Sequence, residues 1–274
     1  MAKATLIRSC AVLALAACSP YRGPENTDSW YDPGAEAWVN EPVLFTDEPY
    51  ASSDAPISGL DAVFPVDDYI TAYADGDDYP AGSSCESEVS NDLPIEIEGV
   101  VTIHPRYYIK TSGCNGDEKY YGSFFIEDDT GGVFVLGDSK VAHFTTGNRV
   151  RMSVRAAKTS FDLNMVYAWD TLSIDHTVEA VHYENAVGSF DNDSISRVQR
   201  VTGEVTTEKD TFGQFAIESD DGEEYLIQLD VELNRRGYDY PIGERIQVTG
   251  PVMYSYSEYA IVVMSTGQIS VLEP

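Results

Sequence analysis

From Leu93 onward, apolar and polar residues alternate in short runs separated by turn residues. Ile95, Ile97, Val101 and Ile103 alternate with Glu96, Glu98 and Thr102 around Gly99, the period-2 signature of a half-buried strand. Runs rich in β-branched and aromatic residues follow at 123–128 (SFFIED), 132–138 (GVFVLGD), 148–154 (NRVRMSV) and 165–174 (MVYAWDTLSI). A second series covers 198–207, 213–222, 224–231, 244–252 and 258–265 and closes at 268–272. Before Leu93 no apolar run keeps a period of 2 or 3.6 long enough for an element. The pattern predicts an all-β protein behind an unstructured N-terminal region.

The two series match each other. GVV at 99 lies over GEV at 203, IEDDTGG at 126 over IESDDGE at 217, and GNRVRMSV at 147 over GERIQVTG at 243. Their order is kept while loop lengths differ, which marks an internal duplication of a unit with five main strands. Gly99 and Gly203 fall in the first strand, the acidic hairpins 126–132 and 217–223 join strands two and three, and Gly147 and Gly243 open strand four. In these features each unit resembles the OB-fold, a five-stranded Greek-key barrel. The resemblance implies two tandem OB-like barrels, residues 93–175 and 176–274. It also implies that ligands lie on the face of strands two and three and its flanking loops. An immunoglobulin-like sandwich is the alternative, but it needs about seven strands and a different Cys and Trp spacing.

Residues 19–92 differ in composition. They hold 17 acidic residues, one basic residue (Arg22) and 8 of the 13 prolines. Proline removes backbone donors and blocks helices, and like charges repel, so residues 18–92 read as a disordered, extended acidic tether. The stretch also carries Trp30, Tyr31, Trp38, Phe45, Tyr50, Phe64, Tyr69, Tyr73 and Tyr79. Such aromatic residues suit docking onto the folded part or onto a partner.

Residues 1–18 read MAKATLIRSCAVLALAAC, a basic start followed by a short apolar stretch. That stretch is short of the roughly 20 residues a permanent membrane helix needs, so residues 1–17 read as an export signal. Leu15, Ala16, Ala17 and Cys18 resemble the lipobox of bacterial lipoproteins. The resemblance implies cleavage before Cys18, acylation of Cys18, and attachment to a membrane of the bacterial envelope, with Ser19 leaning towards the outer membrane. An ordinary secretory peptide cut near Ala17 is the alternative. Cys10 leaves with the signal, so Cys85 and Cys114 remain as an even pair, read as one disulfide in an exported chain. A metal site at this pair lacks a CxxC or a neighbouring His.

The formal net charge of −29 lacks the cationic footprint of a duplex-binding protein. None of His104, His143, His176 and His182 stands at metal-ligand spacing, and neither GxSxG, P-loop nor GxGxxG is present. Binding is therefore expected rather than catalysis, with no metal and no cofactor. The acidic hairpins, Glu127–Asp129 and Glu218–Asp221, put oxygen ligands close together but lack EF-hand spacing, and read as turns. Charge is uneven: residues 93–175 hold 8 basic and 11 acidic residues, residues 176–274 hold 6 and 18. Arg149, Arg151 and Arg155 share strand parity, Lys158 lies just beyond, and Val150, Met152 and Val154 point the other way, into the barrel. That basic stripe suits an anion, or neutralisation by the chain's own acidic tether. Tyr107, Tyr108, Tyr120 and Tyr121 in the first unit, and Tyr254 and Tyr256 in the second, are the aromatic candidates for a ligand face. Arg151, Arg155 and Lys158 would stand beside the first set. The expected function is a lipid-anchored envelope scaffold with an envelope protein or glycan as partner. Carbohydrate or peptidoglycan binding and single-stranded nucleic-acid binding are the alternatives, and nucleic acid is the least expected partner.

Overall fold

The computed structural model describes residues 38–67, 70–76, 86–111, 118–136, 144–160, 162–167, 172–255 and 257–273. The signal stretch, Cys18, Cys85, Cys114 and Tyr256 lie outside the described residues, as do the side chains of Tyr108, Tyr120 and Tyr121.

The expected tether is ordered across its described part. Strand β1 (Phe45–Thr46) pairs with a later strand, and a 3-10 turn at Ile57–Ala62 buries Ile57 and Leu60. Strands β2 (Ile70–Ala74) and β3 (Glu86–Ser90) pair in parallel. Proline at 42, 49 and 56 forbids helix but not extended chain, and burial of Trp38, Tyr50, Ile57 and Leu60 offsets the cost of ordering it. The segment is a strap. Its Ile57 backbone N–H donates to Asp128 Oδ2 at 2.8 Å in the first barrel, and its Glu41 carbonyl accepts from Ser265 Oγ in the second.

Barrel 1 contains β4 (Ile95–Val101), β5 (Tyr107–Thr111), β6 (Glu118–Glu127), β7 (Gly132–Leu136), β8 (Asn148–Val154), β9 (Ala156–Ser160), β10 (Leu163–Tyr167) and β11 (Leu172–Val178). β4 pairs antiparallel with β6 and β8, β6 with β7, and β7 runs parallel to β10, which returns to β9. β8 and β9 are successive parts of strand four, so the wall closes. The run 165–174, read as one strand, divides into β10 and β11. Lys158, read as a loop residue, lies within β9 and is buried.

The short strands β12 (Val181–His182) and β13 (Glu184–Asn185) lead to barrel 2. This barrel holds β14 (Val198–Val205), β15 (Gln214–Ser219), β16 (Glu224–Leu229), helix α1 (Val231–Arg235), β17 (Arg245–Ser255), β18 (Glu258–Val263) and β19 (Ile269–Val271). Pairing runs β14–β15–β16–β18–β17 and back to β14, a closed five-stranded ring with β16 and β18 parallel. That is OB-fold connectivity, repeated from barrel 1. β11 and β19 each add a strand beside strand four of their own barrel. The protein is all-β, with two tandem OB-like barrels.

The expected glycines have a steric reason. A Cβ on Gly203 would meet the Glu218 carbonyl oxygen at 2.4 Å, and one on Gly99 the Glu127 carbonyl oxygen at 3.0 Å. Strand two crosses strand one too closely for a side chain there.

Alternation then sorts the core. Phe124, Ile126, Val133, Val135, Val150, Met152 and Val154 fill barrel 1, as strand parity predicts. Their neighbours Phe125, Phe134, Leu136, Met165 and Tyr167 point outward, yet each is at most 1% exposed. They join Met253 and Val262 of barrel 2 in one apolar cluster. The outer face of barrel 1 is thus the seam between the barrels.

Candidate functional site

The seam removes the surface on which a ligand was expected. Tyr107, expected at a ligand face, is 1% exposed, with its ring edge-on to Phe134 at 6.2 Å and its hydroxyl 3.8 Å from Met253 Sδ. Burial drives its phenol pKa far up, and Asp230 adds to the shift. β5 and β6 pair Tyr108 with Tyr121 and Ile109 with Tyr120.

Two residues of the basic stripe, Arg149 and Arg151, are neutralised from within. Arg149 makes two 2.8 Å hydrogen bonds to Glu179, which raise its pKa, and lies 3.5 Å from Glu98. Arg151 meets Asp54 of the strap at 2.8 Å, with Glu96 and Glu98 within 4 Å. Arg155 is half-buried, and Lys158 is sealed in β9. Tyr254 is half-buried, its ring centroid 4.4 Å from that of Tyr259. Among the candidates with described side chains, Tyr107 and Lys158 are thus buried and Arg151 is paired with the strap.

The acidic hairpins serve their own turns. Asp128 accepts from the Thr130 and Gly131 backbone N–H groups and the Thr130 hydroxyl, and its other oxygen holds the strap. Ser219 donates to Asp221, and Asp220 pairs with Arg245, whose guanidinium lowers the Asp220 pKa.

A different cluster gathers where strap, linker and barrel 2 meet. β1 pairs with β12 in parallel, Phe45 opposite Val181, and β13 pairs with β14, Asn185 opposite Arg200. Arg200 alternates with the inward Val201 and so faces out. Its guanidinium carbon lies 3.4 Å from the Tyr183 ring centroid and 5.7 Å from that of Phe45. Phe45 and Tyr183 stand edge to face at 6.4 Å. Arg200 Nε donates to Thr249 Oγ1 at 2.9 Å, and Gln247 Nε2 donates to Thr202 Oγ1 at 3.2 Å beside it. Phe45, Tyr183 and Arg200 are all half-buried, and Leu44 next to them is exposed. Among the described residues no carboxylate lies in salt-bridge range of Arg200, whereas Arg149, Arg151, Arg197, Arg235, Arg236 and Arg245 each have one. Guanidinium over a ring gains about 0.5–2 kcal/mol and keeps its charge. The arrangement is a stacking platform with hydroxyl and amide groups alongside.

Sequence reasoning placed Phe45 among the tether aromatics and did not single out Tyr183 or Arg200. The available signal was the outward parity of Arg200 within VQRVTGEV.

No protein-family model and no curated protein matches the chain. Solved structures do. The tetrameric p202 HIN2 is similar over 66% of this chain and 94% of its own, at 12% identity and a TM-score of 0.32. Fission yeast Pot1 with ssDNA is similar over 66% and 84%, at 8% identity and a TM-score of 0.28. The S. pombe Stn1-Ten1 complex is similar over 28% of this chain and 59% of its own, at 16% identity and a TM-score of 0.24. Two expectations are corrected against these structures. The expected role of an envelope scaffold, with an envelope protein or glycan as partner, gives way, while the lipobox at Cys18 lies outside the described residues. Against the expectation that nucleic acid is the least expected partner, the Pot1 structure holds ssDNA, and a Thermus aquaticus protein similar at 8% identity and a TM-score of 0.24 is described as single-stranded DNA binding.

Proposed function

We propose that the chain is a binding protein for single-stranded nucleic acid, and that it uses the Phe45–Tyr183–Arg200 platform rather than the strand two–three face of barrel 1. The observation that carries the reading is the Arg200 guanidinium, stacked on Tyr183 and free of described carboxylate partners. Rings and guanidinium planes stack on bases without regard to sequence, at about 1–3 kcal/mol per base. Thr202 and Gln247 supply polar contacts beside them, and the buried Thr249 holds the Arg200 guanidinium in place.

A net charge of −29 opposes long-range attraction of a polyanion. Contact is therefore short and dominated by stacking. Each phosphate neutralised on a single strand contributes about −0.7 to the slope of log affinity against log salt. With one cation in the platform, the slope is about −1 or shallower.

The test is fluorescence anisotropy of a labelled oligothymidylate against the wild type, Tyr183→Ala and Arg151→Ala. Loss of one stacked ring weakens binding by roughly five- to a hundredfold, while Arg151→Ala binds as wild type. Equal binding by wild type and Tyr183→Ala, or no binding by wild type, overturns the reading.

A further inference from the structure

Glu127 ends β6 on the same outward row as Phe125, at the rim of the seam. It is fully buried, whereas Glu218, its counterpart in the barrel 2 repeat, is exposed. Its Oε2 accepts from the Val198 backbone N–H at 3.0 Å, and Arg197 Nη1 lies 3.7 Å from Oε1. Oε1 itself has no hydrogen-bond partner. The segment it holds is tightly fitted. A Cβ on Gly132, just across the β6–β7 turn, would lie 2.2 Å from the Ser196 carbonyl oxygen. Ser196 has a φ of 64°, a conformation that strains a residue with a side chain. The Ser196 N–H donates to the Val252 carbonyl, and the Val252 N–H to the Arg197 carbonyl. Residues 195–198 are thereby fixed to barrel 2, and Glu127 is the side chain by which barrel 1 holds them.

We propose that Glu127 is a protonation-controlled latch: as the neutral acid it holds the 196–198 segment against barrel 1, and as the carboxylate it loosens that junction. A buried carboxylate needs several donors to replace water, and here one amide and one distant guanidinium are present. The groups that face it are Arg197 and Glu184 from the linker, Asp128 from its own hairpin and Tyr50 from the strap. Burial pushes the Glu127 pKa up to about 8, Glu184 and Asp128 add to this, and Val198 and Arg197 oppose it. The folded protein thus binds a proton that the unfolded chain releases near pH 4.3. The stabilisation is full below that pH and is lost as pH rises through about 8. The latch does not depend on what the platform binds.

The experiment follows the full chain and Glu127→Gln from pH 5 to 9 by thermal melting and by amide exchange at Val198. In the wild type the Val198 protection factor falls by up to about tenfold per pH unit towards pH 8 and then levels. The neutral Gln variant shows no such fall, and its melting temperature diverges from wild type over the same window. Parallel profiles for the two proteins overturn the latch. Should the variant fail to fold, the carboxyl 13C titration of Glu127 in wild type decides. A midpoint above roughly pH 6.5 supports the proposal, and one below it, in the range of an ordinary carboxylate, overturns it.

Discussion

The two barrels share one interior and differ on the outside. In barrel 1 the outward positions of strands two, three and five are Phe125, Phe134, Leu136, Met165 and Tyr167. The corresponding positions in barrel 2 are Ala216, Leu226, Gln228, Ala260 and Val262. One face presents three aromatic rings with Leu and Met, the other two Ala, a Gln, a Leu and a Val, and no ring. Both barrels close through the same pairings, so the fold does not depend on this face. What the face decides is what lies against it. The aromatic face of barrel 1 is filled by barrel 2, and the ligand face expected of an OB-fold is lost to an internal interface. Phe45, Tyr183 and Arg200, on strand one of barrel 2 and the segments laid across it, are left half-exposed.

Equivalent substitutions on the two faces differ in cost. Phe134→Ala removes a fully buried ring from the seam and costs about 3–5 kcal/mol in denaturant unfolding. Leu226→Ala, at the matching place in barrel 2, removes a half-buried side chain and costs about 1 kcal/mol. Equal losses would show that the two faces are packed alike. A much smaller effect sharpens the electrostatic half. Arg151→Ala breaks the contact with Asp54 of the strap, but both partners are exposed to solvent and salt. Its unfolding free energy changes by less than about 1 kcal/mol. A larger loss would make the ion pairs, rather than the buried strap residues Ile57 and Leu60, the main attachment of the strap.

Much of the fold was legible in the chain. The repeat GVV/GEV, IEDDTGG/IESDDGE and GNRVRMSV/GERIQVTG placed the strands, and the parity of Val150, Met152 and Val154 named inward residues. The seam left a mark too. VFVL at 133–136 is apolar at four successive positions, the pattern of a strand covered on both faces, whereas its counterpart YLIQL at 225–229 is interrupted by Gln228. By itself that mark signals β propensity, which leaves Tyr107 free to read as a ligand-face residue. The strap failed for another reason. Its prolines and acidic charge match a disordered tether, and its order comes from separate aromatic and apolar anchors that show no period. The platform was the least legible, because pairing of β1 with β12 brings together residues 136 apart in the chain. No local pattern reports a contact of that range.

In the proposed reading, binding sits at the platform rather than on the face that the seam covers. The most direct measurement is backbone and side-chain NMR mapping of the full chain titrated with an oligothymidylate. The account predicts shifts centred on Phe45, Tyr183, Arg200 and Thr249, with Phe125, Phe134 and Met165 unmoved. Shifts centred on the outward residues of β6, β7 and β10, with the platform silent, would contradict it.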